Sequence, residues 1–114
     1  MTVSDGDSGG KVEPLSVVTT SAAPGHVTIT VSGDLDLVTT EFLRAELGQA
    51  LDPLPSSVVV DLNAVDFCDS TGLSTLIGFN KRCVADRVPL QFRPSATIRR
   101  LLLRTGLSDL LPIG

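Results

Sequence analysis

Ser57-Val58-Val59-Val60-Asp61-Leu62-Asn63-Ala64-Val65-Asp66-Phe67-Cys68-Asp69-Ser70-Thr71-Gly72-Leu73 is the stretch on which the fold turns. Ser57 to Leu62 is an apolar, β-branched run. It is expected to form a central strand covered on both faces. Asp69-Ser70-Thr71-Gly72 lies in the loop beyond it and opens a helix, with Leu73, Leu76, Ile77, Asn80 and Val84 expected on one stripe. A helix start leaves N–H groups unpaired and carries a positive dipole end, so it tolerates an anion. That anion can be a phosphate on its own Ser70, which would add about -1.5 to -2 charges. Asp69 or Ser70 acting merely as the helix cap explains the same four residues.

Working outward, Leu15 to Thr20 reads as a first strand. Ser21 to Gly25 supplies turn chemistry. His26 to Ser32 alternates, with Val27, Ile29 and Val31 on one face, and completes a hairpin. Gly33-Asp34-Leu35-Asp36 ends that strand. Thr39 is the expected N-cap of a helix carrying Glu41 in its first turn and Leu43, Leu47, Ala50, Leu51 and Leu54 inward, stopped by Pro53 and Pro55. Beyond the quoted stretch, Val88 to Phe92 is a short strand. Ser95 or Thr97 starts a third helix with Ile98, Leu101, Leu102 and Thr105 inward, ended by Gly106 as a left-handed cap. Leu107, Leu110, Leu111 and Ile113 are expected to pack on the sheet. The order β-β-α-β-α-β-α gives an α/β domain with a mixed sheet. Residues 1–14 form a Gly/Ser/Asp-rich acidic leader, expected to be disordered.

Composition narrows the function. The chain has 114 residues, one domain's worth, with 42% hydrophobic residues, no Trp, no Tyr and four Phe. Few aromatic platforms and a net charge of -4 argue against nucleic-acid binding. No apolar run is long enough to cross a bilayer, and the polar leader resembles neither a signal nor a transit peptide. A cytoplasmic location is expected. Cys68 and Cys83, with His26 as the one histidine, do not make an ordinary zinc site and are expected to be buried, reduced thiols. Asp34 with Asp36, or Asp66 with Asp69, pairs carboxylates, but adjacent surface acids hold cations weakly; neither a metal nor a cofactor is expected. Met1 to Ser70 holds eleven acids and two bases, Lys11 and Arg44, whereas Thr71 to Gly114 holds two acids and seven bases. A hydrolase built on Ser70 needs a base, and His26 is the one histidine available. No phosphate loop or dinucleotide fingerprint is present.

Three strings occur in order: Gly33-Asp34-Leu35-Asp36, then Val59 to Leu62 with Phe67 to Leu73, then Thr105 to Ile113. Together they resemble the STAS-domain anti-anti-sigma factors of bacteria over residues 15–114. The resemblance implies a single STAS-like domain, a mixed central sheet of four to five strands with helices packed mainly on one face. It implies an anti-sigma factor antagonist and not an enzyme. Unphosphorylated, such a protein binds an anti-sigma factor that is also a Ser/Thr kinase of the histidine-kinase-like ATPase fold, and so frees a sigma factor. Phosphorylation at the position matching Ser70, with Thr71 the lesser candidate, switches it off, and a PP2C-type phosphatase restores it. The implied contact residues are Asp34, Asp36, Thr39, Asp69, Ser70, Thr71, Gly72, Ser74 and Thr75; Phe79 and Arg82, off the core stripe of the helix, are further candidates, with a core role equally open to Phe79 at the stripe's edge. The alternative is a ligand-sensing or scaffold module of a stress-signalling complex that is never phosphorylated.

Overall fold

A computed structural model describes residues 15–114; the leader expected over residues 1–14 lies outside them. Strand β1 (Leu15–Ala23) turns at Pro24-Gly25 into β2 (His26–Leu35). Gly25 has φ +79°, a left-handed conformation that glycine adopts without strain. Helix α1 (Thr40–Leu51) leads to β3 (Ser57–Cys68), helix α2 (Ser70–Ala85) to β4 (Leu90–Pro94), and helix α3 (Ala96–Thr105) to a 3-10 turn at Ser108–Leu110. The sheet order is β1-β2-β3-β4. β1 and β2 are antiparallel; β2, β3 and β4 are parallel, joined by α1 and α2. This is the expected mixed α/β sheet.

The sheet buries one face. Ile29, Val60 and Phe92 are in register across three strands and are each fully buried. Val31, Val58 and Leu62 share that face. The opposite face carries Thr28, Thr30, Asp61 and Arg93, none of them buried. β3 is therefore covered on one face, not two. Its strand also continues to Cys68, six residues past the expected end. Burial along it repeats every two residues through Val58, Val60 and Leu62, then every three through Val65 and Cys68. Two register irregularities against β2 explain the change, since β2 advances from Thr30 to Leu35 while β3 advances from Asp61 to Cys68, two residues more. Each extra residue is a bulge that returns the next apolar side chain to the core.

Helix faces differ from expectation at their ends. α1 buries Leu43, Leu47 and Leu51, but Leu54 lies past its end, 61% exposed, at φ 53°. α2 buries Leu73, Leu76, Phe79 and Cys83, whereas Val84 is 69% exposed. α3 begins on Ser95, whose Oγ accepts from Ile98 N at 3.3 Å. It ends on Gly106 at φ 73°. Thr105 is exposed, with its hydroxyl donating to Leu101 O. β4 starts at Leu90, two residues later than expected. Leu111 is buried in the core and Leu107 packs against it. Leu110 is half exposed, and Ile113 reaches the sheet through a parallel bridge to Phe92.

Candidate functional site

Two segments meet at the carboxyl ends of parallel β2 and β3, the customary place for a site in an open α/β sheet. Leu35 pairs with Cys68, and Asp69 N donates to Leu35 O at 3.0 Å. Residues 34–40 and 68–74 are thereby brought side by side.

The first segment is a self-bonded turn. Asp36 Oδ1 accepts from Val38 N at 2.9 Å and Thr39 N at 3.0 Å. In return Thr39 Oγ1 accepts from Asp36 N at 3.0 Å and donates to Asp34 O at 2.7 Å. Thr39 stands at the N-cap position of α1 but makes no side-chain cap bond to the helix. Its hydroxyl is used up holding the turn, and the residue is buried. The turn thrusts Leu37 and Val38 outward, 72% and 81% exposed.

The second segment is a capped helix start. Asp69 Oδ1 accepts from Thr71 N at 2.9 Å, Gly72 N at 3.0 Å and Thr71 Oγ1 at 2.5 Å. The Thr71 hydroxyl, then the Gly72 N–H, hold the Asp69 carboxyl below its ordinary range, with a smaller contribution from the Leu37 N–H of the first segment. Asp69 thus caps α2, taking up the Thr71 and Gly72 N–H groups. Ser70 follows in the first turn and is exposed. Gly72 is where the helix touches β2: a Cβ there would lie 2.7 Å from Leu35 Cβ and 3.0 Å from Cys68 Sγ.

The candidate contact residues divide accordingly. Asp36, Asp69, Ser70, Thr71 and Ser74 lie together with at least part of their surface open. Gly72 and Thr75 are buried, and the Thr75 hydroxyl donates to Thr71 O at 3.0 Å. Buried Phe79 belongs to the core. Asp34 is exposed but stands on the strand face opposite Leu35, in register with half-exposed Phe67. Arg82 is tied to Asp52 at 2.9 Å, far down α2.

A shallow groove of about 310 Å³ runs beside Ser70 between α1 and α2, with Ser74 one turn further along. Leu37, Thr40, Glu41 and Arg44 form its other wall. Sequence reasoning did not single out Glu41 or Arg44 for this place. The available signal was that Arg44 is the one Lys or Arg between residues 15 and 70.

His26 begins β2, and the site lies at that strand's other end, about 30 Å away at the usual strand rise. Its Nδ1 is 2.7 Å from Ser57 Oγ. It cannot serve Ser70 as a base. No group of three potential metal ligands occurs among the described residues.

A family model described as the STAS domain matches residues 18–114. The chain belongs to the STAS-domain family. Over 65 residues this STAS domain is 31% identical to the anti-sigma-F factor antagonist RsfB of Mycobacterium tuberculosis, covering 57% of this chain and 53% of the relative. It thus spans about half the length of the curated relatives it matches. Its fold superposes on that of an anti-sigma factor antagonist from Mycobacterium paratuberculosis with a TM-score of 0.74 and 27% identity, over 87% and 84% of the two chains. SpoIIAA of Bacillus shares the fold in its unphosphorylated form, TM-score 0.68 at 20% identity over 87% of this chain and 88% of that one. In its phosphorylated form the values are 0.66 and 21%, over 87% and 91%.

Proposed function

We propose that this STAS domain is an anti-sigma factor antagonist switched by phosphorylation at Ser70. Unphosphorylated, it binds a cytoplasmic anti-sigma factor that is also a Ser/Thr kinase of the histidine-kinase-like ATPase fold, and a sigma factor is released. The kinase then transfers the γ-phosphoryl of a nucleoside triphosphate to Ser70. The Oγ–P bond forms as the bond to the β–γ bridging oxygen breaks, the diphosphate leaves, and the hydroxyl proton passes to a base on the kinase. A PP2C-type phosphatase hydrolyses the ester and resets the switch. The domain acts by binding and is the kinase's substrate, not an enzyme.

The observation that carries this reading is the exposed Ser70 in the first turn of α2, directly after a carboxylate that the helix itself consumes. Thr71 is the poorer acceptor because its hydroxyl is bonded to Asp69. The surroundings suit a switch. Exposed Leu37 and Val38 offer apolar anchors, while Asp36, Glu41 and Asp69 make the surface acidic. A phosphate dianion added there raises both like-charge repulsion and the cost of desolvating the interface. The names of the relatives support the partner class, and no described helix is long and apolar enough to cross a membrane.

The test pairs phosphopeptide mapping, before and after stress, with binding to the anti-sigma factor encoded in the same genome. Phosphate on Ser70 with changing occupancy is expected. Wild type and Ser70→Ala should bind alike, and Ser70→Asp at least about tenfold more weakly, which is about 1.4 kcal/mol. Equal binding by Ser70→Asp and wild type would overturn the reading.

A further inference from the structure

Resting on the reading just given, the question is what meets a phosphate once it sits on Ser70. A helix N-terminus is the usual answer, because its free N–H groups bind anions. Here two of those groups are already engaged, since Thr71 N and Gly72 N donate to Asp69 Oδ1. A second anion cannot share those donors without displacing the cap. With those two donors taken, a phosphate on Ser70 needs a further partner to offset Asp69, Asp36 and Glu41 beside it.

The groove offers one cation. Arg44 of α1 and Ser70 of α2 line the same depression, with Ser74 one helical turn beyond Ser70 on the same wall. Arg44 is exposed. The ion pairs of the described residues both belong to Arg82, so Arg44 enters neither. Its planar guanidinium suits a phosphate's oxygens, to which it can give two parallel N–H bonds.

We infer that Arg44 is the internal counter-charge of phosphorylated Ser70, closing the groove between α1 and α2 with an arginine–phosphate pair. Phosphorylation then does two things at once. It adds negative charge to the surface, and it draws the one groove cation away from any partner. The groove wall that held a free Arg44 beside Leu37 becomes a bridged wall. The off state is thus held from within the domain, not only by repulsion of the partner.

The experiment installs phosphoserine at position 70 during translation, so it needs no kinase. Phosphorus-31 NMR then follows the second ionisation of the phosphate, ordinarily near pKa 6. The charged groups facing it are Arg44 and Glu41 from α1, Asp36 from the preceding turn, and Asp69 before α2. Arg44 favours the dianion and the three acids oppose it. Arg44→Gln should therefore raise that pKa, by about half a pH unit or more. Arg44→Lys keeps the charge without the planar fork and should fall between. Circular dichroism checks that the variants keep their helices, which an exposed position on α1 should allow. An unmoved pKa in folded Arg44→Gln overturns the pairing and leaves the functional proposal standing. Equal partner binding by Ser70→Asp and wild type sinks the functional proposal without touching this result.

Discussion

Asp69 caps α2 by accepting from the Thr71 and Gly72 N–H groups and the Thr71 hydroxyl. Its folded pKa is depressed, so the carboxylate is stabilised more in the folded chain than in the unfolded one. Its contribution is therefore present above the ordinary aspartate pKa, about 3.9, and fades as pH falls through the lower folded value. In urea titrations Asp69→Ala should be less stable than wild type at pH 7, and the gap should close as the pH is taken below 4. A gap that persists unchanged in acid would mean the charge of Asp69 has no part in the cap. The D-S-T-G string was enough to place the helix start and to offer Asp69 or Ser70 as its cap. It did not reveal that Asp69 takes up the Thr71 and Gly72 N–H groups, because that depends on which carboxylate oxygen meets which N–H. The burial of Thr39 and Thr75 was equally hidden: a threonine that bonds to its own backbone looks, in sequence, like one that faces a partner.

Among the elements, α2 does most to separate core from site. Its first two turns present Ser70 and Ser74 to the groove while Leu73, Leu76, Phe79 and Cys83 fix it to the sheet. Leu76→Ala should cost about 2–5 kcal/mol in chemical denaturation. Val84→Ser should stay within about 0.5 kcal/mol of wild type, because Val84 is exposed. A large loss in Val84→Ser would return that residue to the buried stripe. The stripe was legible at Leu73 and Leu76, and the errors fell further along, where Phe79 rather than Asn80 and Cys83 rather than Val84 are buried. The hairpin, the mixed sheet and the Gly106 cap were legible too. The length of β3 was not. Asn63 and Asp66 break the alternation, and a polar interruption reads as a loop unless the partner strand shows that it is a bulge.

At the scale of the whole molecule, one core joins the sheet to all three helices, and both cysteines lie in it. Burial pushes the Cys68 thiol up to about 11, with Asp69 adding to the rise, and the Cys83 thiol likewise to about 11. From an ordinary value of 9.0, that cuts the reactive thiolate roughly a hundredfold at pH 8. A thiol reagent should label neither cysteine appreciably in the native protein and both in denaturant. Rapid native labelling of Cys68 would mean that the sheet end beneath Ser70 opens on its own. The two bulges of β3 also bear on how such a chain can change over generations. They hold two residues that the ladder with β2 does not need. A codon lost at Asn63 or Asp66 would be absorbed there, with Leu35 still opposite Cys68 and Ser70 still in place. The same loss between Val58 and Leu62 would swap inside for outside. The strand can therefore lose a residue at either bulge without turning its faces over, immediately upstream of the candidate site.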